Sequence, residues 1–402
     1  MNRTTGNRLQ LIIVIAIVLI MMSLYFMLIT IQYQRKFKFI ITRKKTVTKV
    51  KKCPTPKIEI ESFNQPRLVR IKKQNYSDSE TKFILLWTKY FHYNFSTDFY
   101  FFQEGFDTFK RYQCPFSQCF VTNNRSLFKE ADAVLFHLWD ISDDLPKFKY
   151  RKQKWILYTL ESISSESSWK EKRNLFDWTM GYRSDSDVKV KYGEVCKLPK
   201  EEQISNVNEK DYHNGREREI VWFVSNCHSV SNRMKYAKKL SKYIDIDVYG
   251  NCGSRKCEPS QSKQCYEDIF KKYKFYLSFE NSICSEYVTE KFFNVLNYDI
   301  IPIVMGGANY DSIAPPHSFI DTRDFPNPKD LAAYLKVISQ DSDLYNSYFD
   351  WKRKYKSYLY PWMCELCQKL HQKHETNVDH REIWWNSYTE CEKWENDAFV
   401  KM

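Results

Sequence analysis

The stretch FENSICSEYVTEKFF, residues 279–293, carries the densest set of groups that could do chemistry. Asn281, Ser282, Glu286, Tyr287, Thr289, Glu290 and Lys291 fall within eleven residues, directly after the apolar run KFYLSF (274–279). A diphosphate is held by cations and N–H donors. Lys291 in the first turn of a helix would add its charge to the positive end of the helix dipole. A sugar or ribose diol needs an acceptor, which Glu286 or Glu290 can supply. The competing reading is a capped helix start, with Ser285 or Thr289 as the cap and the charges solvated. A second candidate is SNCHSVSNR (225–233), where Arg233 could reach a phosphate or simply lie on an amphipathic helix surface. A third is YTLESISSES (158–167). Glu161 there directly follows an apolar run and could be a general base, with Glu166 as its neighbour and competitor. Its competing reading is a capping or loop carboxylate.

Metal chemistry has weaker support. Three Asp-x-Asp triplets occur, Asp185–Asp187, Asp245–Asp247 and Asp341–Asp343. So short a pattern arises easily by chance, and no metal site is assigned. Cys364-x-x-Cys367 with His371 and His374 has the look of a zinc set. Twelve cysteines, an even number, favour disulfides instead. The disulfide candidates are Cys114 with Cys119, Cys252 with Cys257, and Cys364 with Cys367; the connectivity is not legible.

The elements that would position these groups follow from hydrophobic pattern. FILLW (83–87), AVLFHL (133–138) and WILYT (155–159) are short β-prone runs separated by polar or helical stretches. They define one α/β half, residues 82–210. The hydrophilic segment 197–219 reads as a linker. A second half, 211–360, then repeats the pattern. IVWFV (220–224), IDVYG (246–250), KFYLSF (274–279) and IIPIV (300–304) are strands, and residues 265–273 and 290–297 are helical. Val230, Met234, Ala237, Leu240 and Ile244 recur at helical spacing. Alternating strands and helices imply parallel sheets covered on both faces. Such sheets bind ligands beyond the carboxyl ends of their strands. Residues 361–402 form a cysteine-containing extension that should pack back on the body.

Charge separates the chain further. The formal net charge is +13, but residues 1–31 carry +2 and residues 32–82 carry +11, which leaves the remainder neutral overall. That distribution argues against nucleic-acid binding and for a solvated basic stem at 32–81. Residues 11–31 are uncharged and long enough to span a bilayer, whereas a cleavable signal has a shorter apolar core. They read as a transmembrane signal anchor after a cytosolic tail, residues 1–10. The cations that follow the span oppose a lumenal body under the positive-inside rule. Sequons at Asn75, Asn94 and Asn124, together with the cysteines, favour one.

Four long segments carry a family resemblance: LFDWTMGYRSDSDVKVKYG (175–193), VWFVSNCHSVSNRMKYAKKLSKYIDIDVYGNCG (221–253), FYLSFENSICSEYVTEKFFNVL (275–296) and PPHSFIDTRDFPNPKDLAAYL (315–335). The sequence resembles the α1,3-fucosyltransferases from Phe83 to Cys391. The resemblance implies an α/β, GT-B-like glycosyltransferase with two Rossmann-like domains and an interdomain cleft. The N-terminal half would take the acceptor and the C-terminal half the donor. It implies transfer of L-fucose from GDP-β-L-fucose, with inversion, to the 3-hydroxyl of a GlcNAc residue in a glycan. It also implies a single-pass type II location in the Golgi membrane, with the catalytic part lumenal. The family's base falls on Glu161, although the proline that usually follows the next serine is Ile163 here. Its donor-site residues fall on Ser225, Asn226, Arg233, Tyr249 (near the nucleobase), Asn281, Tyr287, Glu290 and Lys291. No cofactor is required by this scheme, with Mn²⁺ or Mg²⁺ as stimulants only. The rivals are a transferase for another nucleotide sugar and an inactive lumenal glycan-binding protein.

Overall fold

The computed structural model describes residues 20–21, 81–90, 104–112, 114–141, 144–162, 174–203, 210–258, 262–359, 363–372 and 391–402. The proposed anchor and stem therefore lie outside the described residues, apart from Ile20, Met21 and Thr81. So do Asn75, Asn94, Ile163, Glu166 and His374. Among the described residues no helix is long and apolar enough to cross a membrane.

The first half is a parallel sheet in the order β2-β1-β3-β4-β5-β6. Its strands are β1 (Lys82–Leu86), β2 (Cys119–Thr122), β3 (Ala133–His137), β4 (Lys154–Tyr158), β5 (Trp178–Gly181) and β6 (Val188–Lys189), with the short helix α1 (Asp107–Arg111) between β1 and β2. All five residues of β3 are buried, as expected of a central strand covered on both faces. β7 (Gly193–Lys197) leaves this sheet.

The second half is a parallel sheet in the order β12-β11-β10-β8-β9. It comprises β8 (Arg218–Phe223), α2 (Arg233–Leu240), β9 (Ile246–Tyr249), α3 (Lys263–Phe270), β10 (Tyr273–Phe279), α4 (Glu290–Phe293), β11 (Ile301–Met305), α5 (Tyr310–Ile313), β12 (Ile320–Asp321), α6 (Pro328–Gln340) and α7 (Ser342–Ser347). The helix expected from Val230 onward starts only at Arg233. Its cap, Asn232, sits in the left-handed region at φ 56°, so residues 225–232 stay a loop at the sheet's edge. The helix expected over 290–297 is one turn of α-helix followed by a 3₁₀ turn, Val295–Asn297.

The chain then returns to the first half. β13 (Tyr355–Leu359) pairs antiparallel with β7. Helix α8 (Met363–His371) buries Met363, Leu366 and Leu370 against the first sheet, in the cluster that holds Ile84, Phe109 and Val121. Each fully buried side chain of this kind contributes about 1.5–3 kcal/mol. The final hairpin, β14 (Glu392–Glu395) and β15 (Ala398–Lys401), turns through Asn396 and Asp397, both at positive φ. It packs on the second half, where Glu392 N donates to Ile283 O at 2.7 Å and Trp394 N to Ser231 O at 3.1 Å. The described parts of the extension at 361–402 are thus divided between the two halves.

The cysteine pairing corrects the local pairs expected from spacing. Cys114 bonds Cys364 and Cys119 bonds Cys367, so both bridges staple α8 to the first sheet. Cys252 bonds Cys227, Cys257 bonds Cys265, and Cys284 bonds Cys391. Cys196 is disulfide-bonded as well. Neighbours in sequence failed as partners because Cys114, in the loop after α1, and Cys119, at the start of β2, each pair with a cysteine of α8. The zinc reading falls with them, since Cys364 and Cys367 have no thiolate to offer and His371 Nε2 lies 3.1 Å from Gln118 O.

These two parallel bridges are redundant in chain entropy. Removing Cys114 and Cys364 together leaves Cys119–Cys367 closing nearly the same loop, so thermal unfolding should register less than about 1 kcal/mol. Replacing all four cysteines with alanine should lose about 3–5 kcal/mol.

Candidate active site

Both sheets reverse strand order next to their first strand. β8 is flanked by β9 and β10, and β1 by β2 and β3. Ligand sites in such sheets lie beyond the carboxyl ends at that reversal. A cleft of about 850 Å³ opens there. Its walls include Trp139, Glu161 and Ser162 from the first half, and Ser225, Asn226, Arg233, Gly250, Asn281, Glu290 and Lys291 from the second. Gly250 is at φ +94°, and a Cβ on it would come 2.6 Å from Val224 O, so the cleft floor needs glycine here.

Glu161 is the side chain on which the two halves meet. It follows β4, and its backbone is fixed from its own half: Thr159 Oγ1 accepts its N–H at 3.0 Å, and Tyr192 OH donates to Leu160 O at 2.9 Å. Its carboxylate is held from the other half. Asn281 Nδ2 and Tyr287 OH both donate to Oε2, at 3.0 and 2.8 Å. No described residue donates to Oε1. Tyr287 is fully buried, and burial first, then Glu161, pushes its phenol well above the ordinary value, so it remains a donor.

The opposite wall is cationic. Arg233 is buried; its Nη1 donates to Phe279 O at 2.8 Å and its Nη2 to Asn226 O at 3.1 Å, while Nε has no partner among the described residues. Lys291 Nζ touches Thr289 Oγ1 and Glu290 Oε1, each at 3.1 Å. Burial pulls its ammonium down, but the carboxylates of Glu290 and Glu280 outweigh burial and leave it above its ordinary value. Thr289 caps α4, its hydroxyl accepting from Lys291 N, so the capped helix start and the ligand wall are the same object.

Ser225, Asn226, Arg233, Asn281, Glu290 and Lys291 thus line the cleft as the sequence suggested. Tyr287 does not line the cleft; its hydroxyl donates to Glu161 and its ring packs against Tyr182 and Tyr192. Tyr249 is placed differently from expectation. It is buried and stacks behind Phe223, ring centroids 5.0 Å apart, and Phe223 presents the surface instead. Sequence reasoning missed Glu280, Lys256, Glu258 and Tyr266. Lys256 and Glu258 lie in a loop with no periodicity to flag it, and Tyr266 lies on α3. Glu280 had a signal, a carboxylate directly after a strand, as at Glu161. Each aspartate triplet has at least one residue occupied by protein donors: Asp185 by Arg183, Asp187 by Thr179, Asp247 by Arg218 and Tyr273, and Asp341 as the cap of α7. Asn124 is exposed, its side chain capping a 3₁₀ turn.

Comparison with known proteins agrees with this arrangement. The family descriptions "Fucosyltransferase, N-terminal" and "Glycosyltransferase family 10 (fucosyltransferase) C-term" match residues 79–193 and 213–385. Glycoprotein 3-alpha-L-fucosyltransferase A of Drosophila melanogaster is 37% identical over 299 residues, 73% of this chain and 57% of that one, so the chain spans little more than half of that relative. Alpha-(1,3)-fucosyltransferase C of the same organism is 33% identical over 335 residues, 76% of this chain and 78% of that one. A crystal structure of an alpha1,3-fucosyltransferase superposes with a TM-score of 0.50 at 18% identity, over 76% of this chain and 94% of that chain, which shows the shared fold. With both family halves matched in order and a relative aligned over most of its length, the chain belongs to the α1,3-fucosyltransferases of glycosyltransferase family 10.

Proposed function

We propose that this α1,3-fucosyltransferase moves L-fucose from GDP-β-L-fucose to the 3-hydroxyl of a GlcNAc residue in a glycan, with inversion. The observation that carries the reading is the carboxylate of Glu161, gripped on one oxygen by Asn281 and Tyr287 and facing a cleft walled by Arg233 and Lys291.

The steps follow from charge and geometry. The acceptor's hydroxyl proton passes to Glu161 Oε1 as its oxygen attacks the anomeric carbon. The bond from that carbon to the β-phosphate oxygen breaks on the opposite face, and GDP departs with the electron pair. Arg233 and Lys291 stabilise the charge developing on the diphosphate; being already held in place, they need little reorganisation. A single displacement leaves no sugar–enzyme bond. The cleft holds donor and acceptor together and limits attack by water. Two cations suffice for the leaving group, so the scheme needs no metal, and Mn²⁺ or Mg²⁺ would act only as stimulants. A Golgi location, type II with the body in the lumen, is part of the proposal. The apolar span at 11–31 and the disulfides support it.

Glu161→Gln should lower fucose transfer by about 10²–10⁴-fold, with GDP binding retained in calorimetry. Unchanged transfer would remove Glu161 as the base. Lys291→Ala and Arg233→Ala should each weaken GDP-fucose binding about 10–100-fold, the worth of one charge-assisted hydrogen bond. Undiminished affinity in a titration would refute their phosphate role.

A further inference from the structure

Glu280 is the first residue beyond β10, and its side chain is wholly buried. Oε1 accepts Thr289 N at 2.9 Å and Thr289 Oγ1 at 3.1 Å; Oε2 accepts Thr289 Oγ1 at 2.9 Å and lies 3.7 Å from Lys291 Nζ. Its own backbone carbonyl accepts Ser231 Oγ at 2.9 Å, and the preceding carbonyl, Phe279 O, accepts Arg233 Nη1. Glu280 is thus the buried counter-charge behind both cations of the phosphate wall. In the empty cleft it balances them. A pyrophosphate diester brings two negative charges to the same cations, and Glu280 then opposes the ligand.

We propose that Glu280 takes up a proton when the donor binds, so that donor affinity is linked to pH through this one buried carboxylate. The inference rests on the GDP-fucose reading of the cleft. Burial, opposed by Lys291, already lifts Glu280 to about 7. Approach of the diphosphate raises it further. The sign follows from linkage. A ligand that raises an acid's pKa prefers the protonated form, so binding is tightest below the free-state value and weakens as pH rises above it. The charged groups that face Glu280 are Glu290 and Lys291 on α4 and Arg233 on α2. The phenols of Tyr287, Tyr276 on β10 and Tyr310 on α5 are each pushed up by burial and stay neutral.

The test is the dissociation constant of GDP-fucose for the wild-type chain and for Glu280→Gln between about pH 6 and 8.5. This donor has no group of its own that titrates near neutrality. Wild type should weaken up to about tenfold per pH unit above pH 7, and Glu280→Gln should bind with little pH dependence, at high pH as tightly as wild type does at low pH. Calorimetry of the wild type in buffers of different ionisation enthalpy reads proton uptake without any variant, and ~0.5–1 proton per donor is expected near pH 7.5. Affinity of the wild type that is flat or tightens with rising pH, the same pH slope in Glu280→Gln, or zero proton uptake would each overturn the proposal. Absence of GDP-fucose binding at every pH would instead overturn the donor reading on which it rests.

Discussion

Tyr287 and Asn281 donate to the same oxygen of Glu161 across the gap between two parallel sheets. Neither sheet alone lines the cleft. The first supplies a carboxylate at the end of β4, and the second supplies the donors that fix its rotamer and the cations that face it. Two hydrogen bonds on one oxygen leave the other unengaged and aimed. That is what a proton acceptor in a single displacement requires. Accurate placement matters because the rate falls steeply when reacting atoms are displaced by even an ångström.

The rest of the molecule can be understood as support for that contact. The segment between β10 and α4 is tied at several points. Cys284 is bonded to Cys391, and Glu286, at φ 59°, accepts from Ser184 N and Oγ on the first half. Thr289 is capped onto the buried Glu280. On the other side, α8 is bolted to the first sheet by two disulfides after the chain has already traversed the second. The chain therefore crosses between the halves more than once, and the β7–β13 pair adds a strand contact to each crossing. A cleft between separately stable units would drift; this one is laced shut at its edges.

Much of this was legible in the amino-acid sequence, for identifiable reasons. The strands at 83–87, 133–138, 155–159, 220–224, 274–279 and 300–304 were visible because strands buried on both faces are continuous apolar runs. Glu161, Arg233 and Lys291 stood out because each directly follows a strand or opens a helix, the positions where these sheets present ligands-binding groups. Long-range pairing was not legible. Spacing suggested Cys114 with Cys119 and Cys252 with Cys257, but a disulfide is chosen by tertiary proximity, and Cys364 comes next to Cys114 only once α8 packs back. Tyr249 was placed at the nucleobase, whereas in the fold Phe223 lies between it and the cleft. Glu280 directly follows a strand, a usable signal, but its burial is not legible, because nothing in a single sequence separates a buried acid from a solvated one.

The proposed reaction is one displacement, with Glu161 on the face opposite the leaving diphosphate. The anomeric configuration of the first product tests this directly. Proton NMR of the fucosylated glycan formed from GDP-β-L-fucose, recorded before any secondary reaction, should show an α-linked fucose on the 3-hydroxyl of GlcNAc. A β-linked fucose would mean retention through two displacements, and the single carboxylate held by Asn281 and Tyr287 could not then be acting as described.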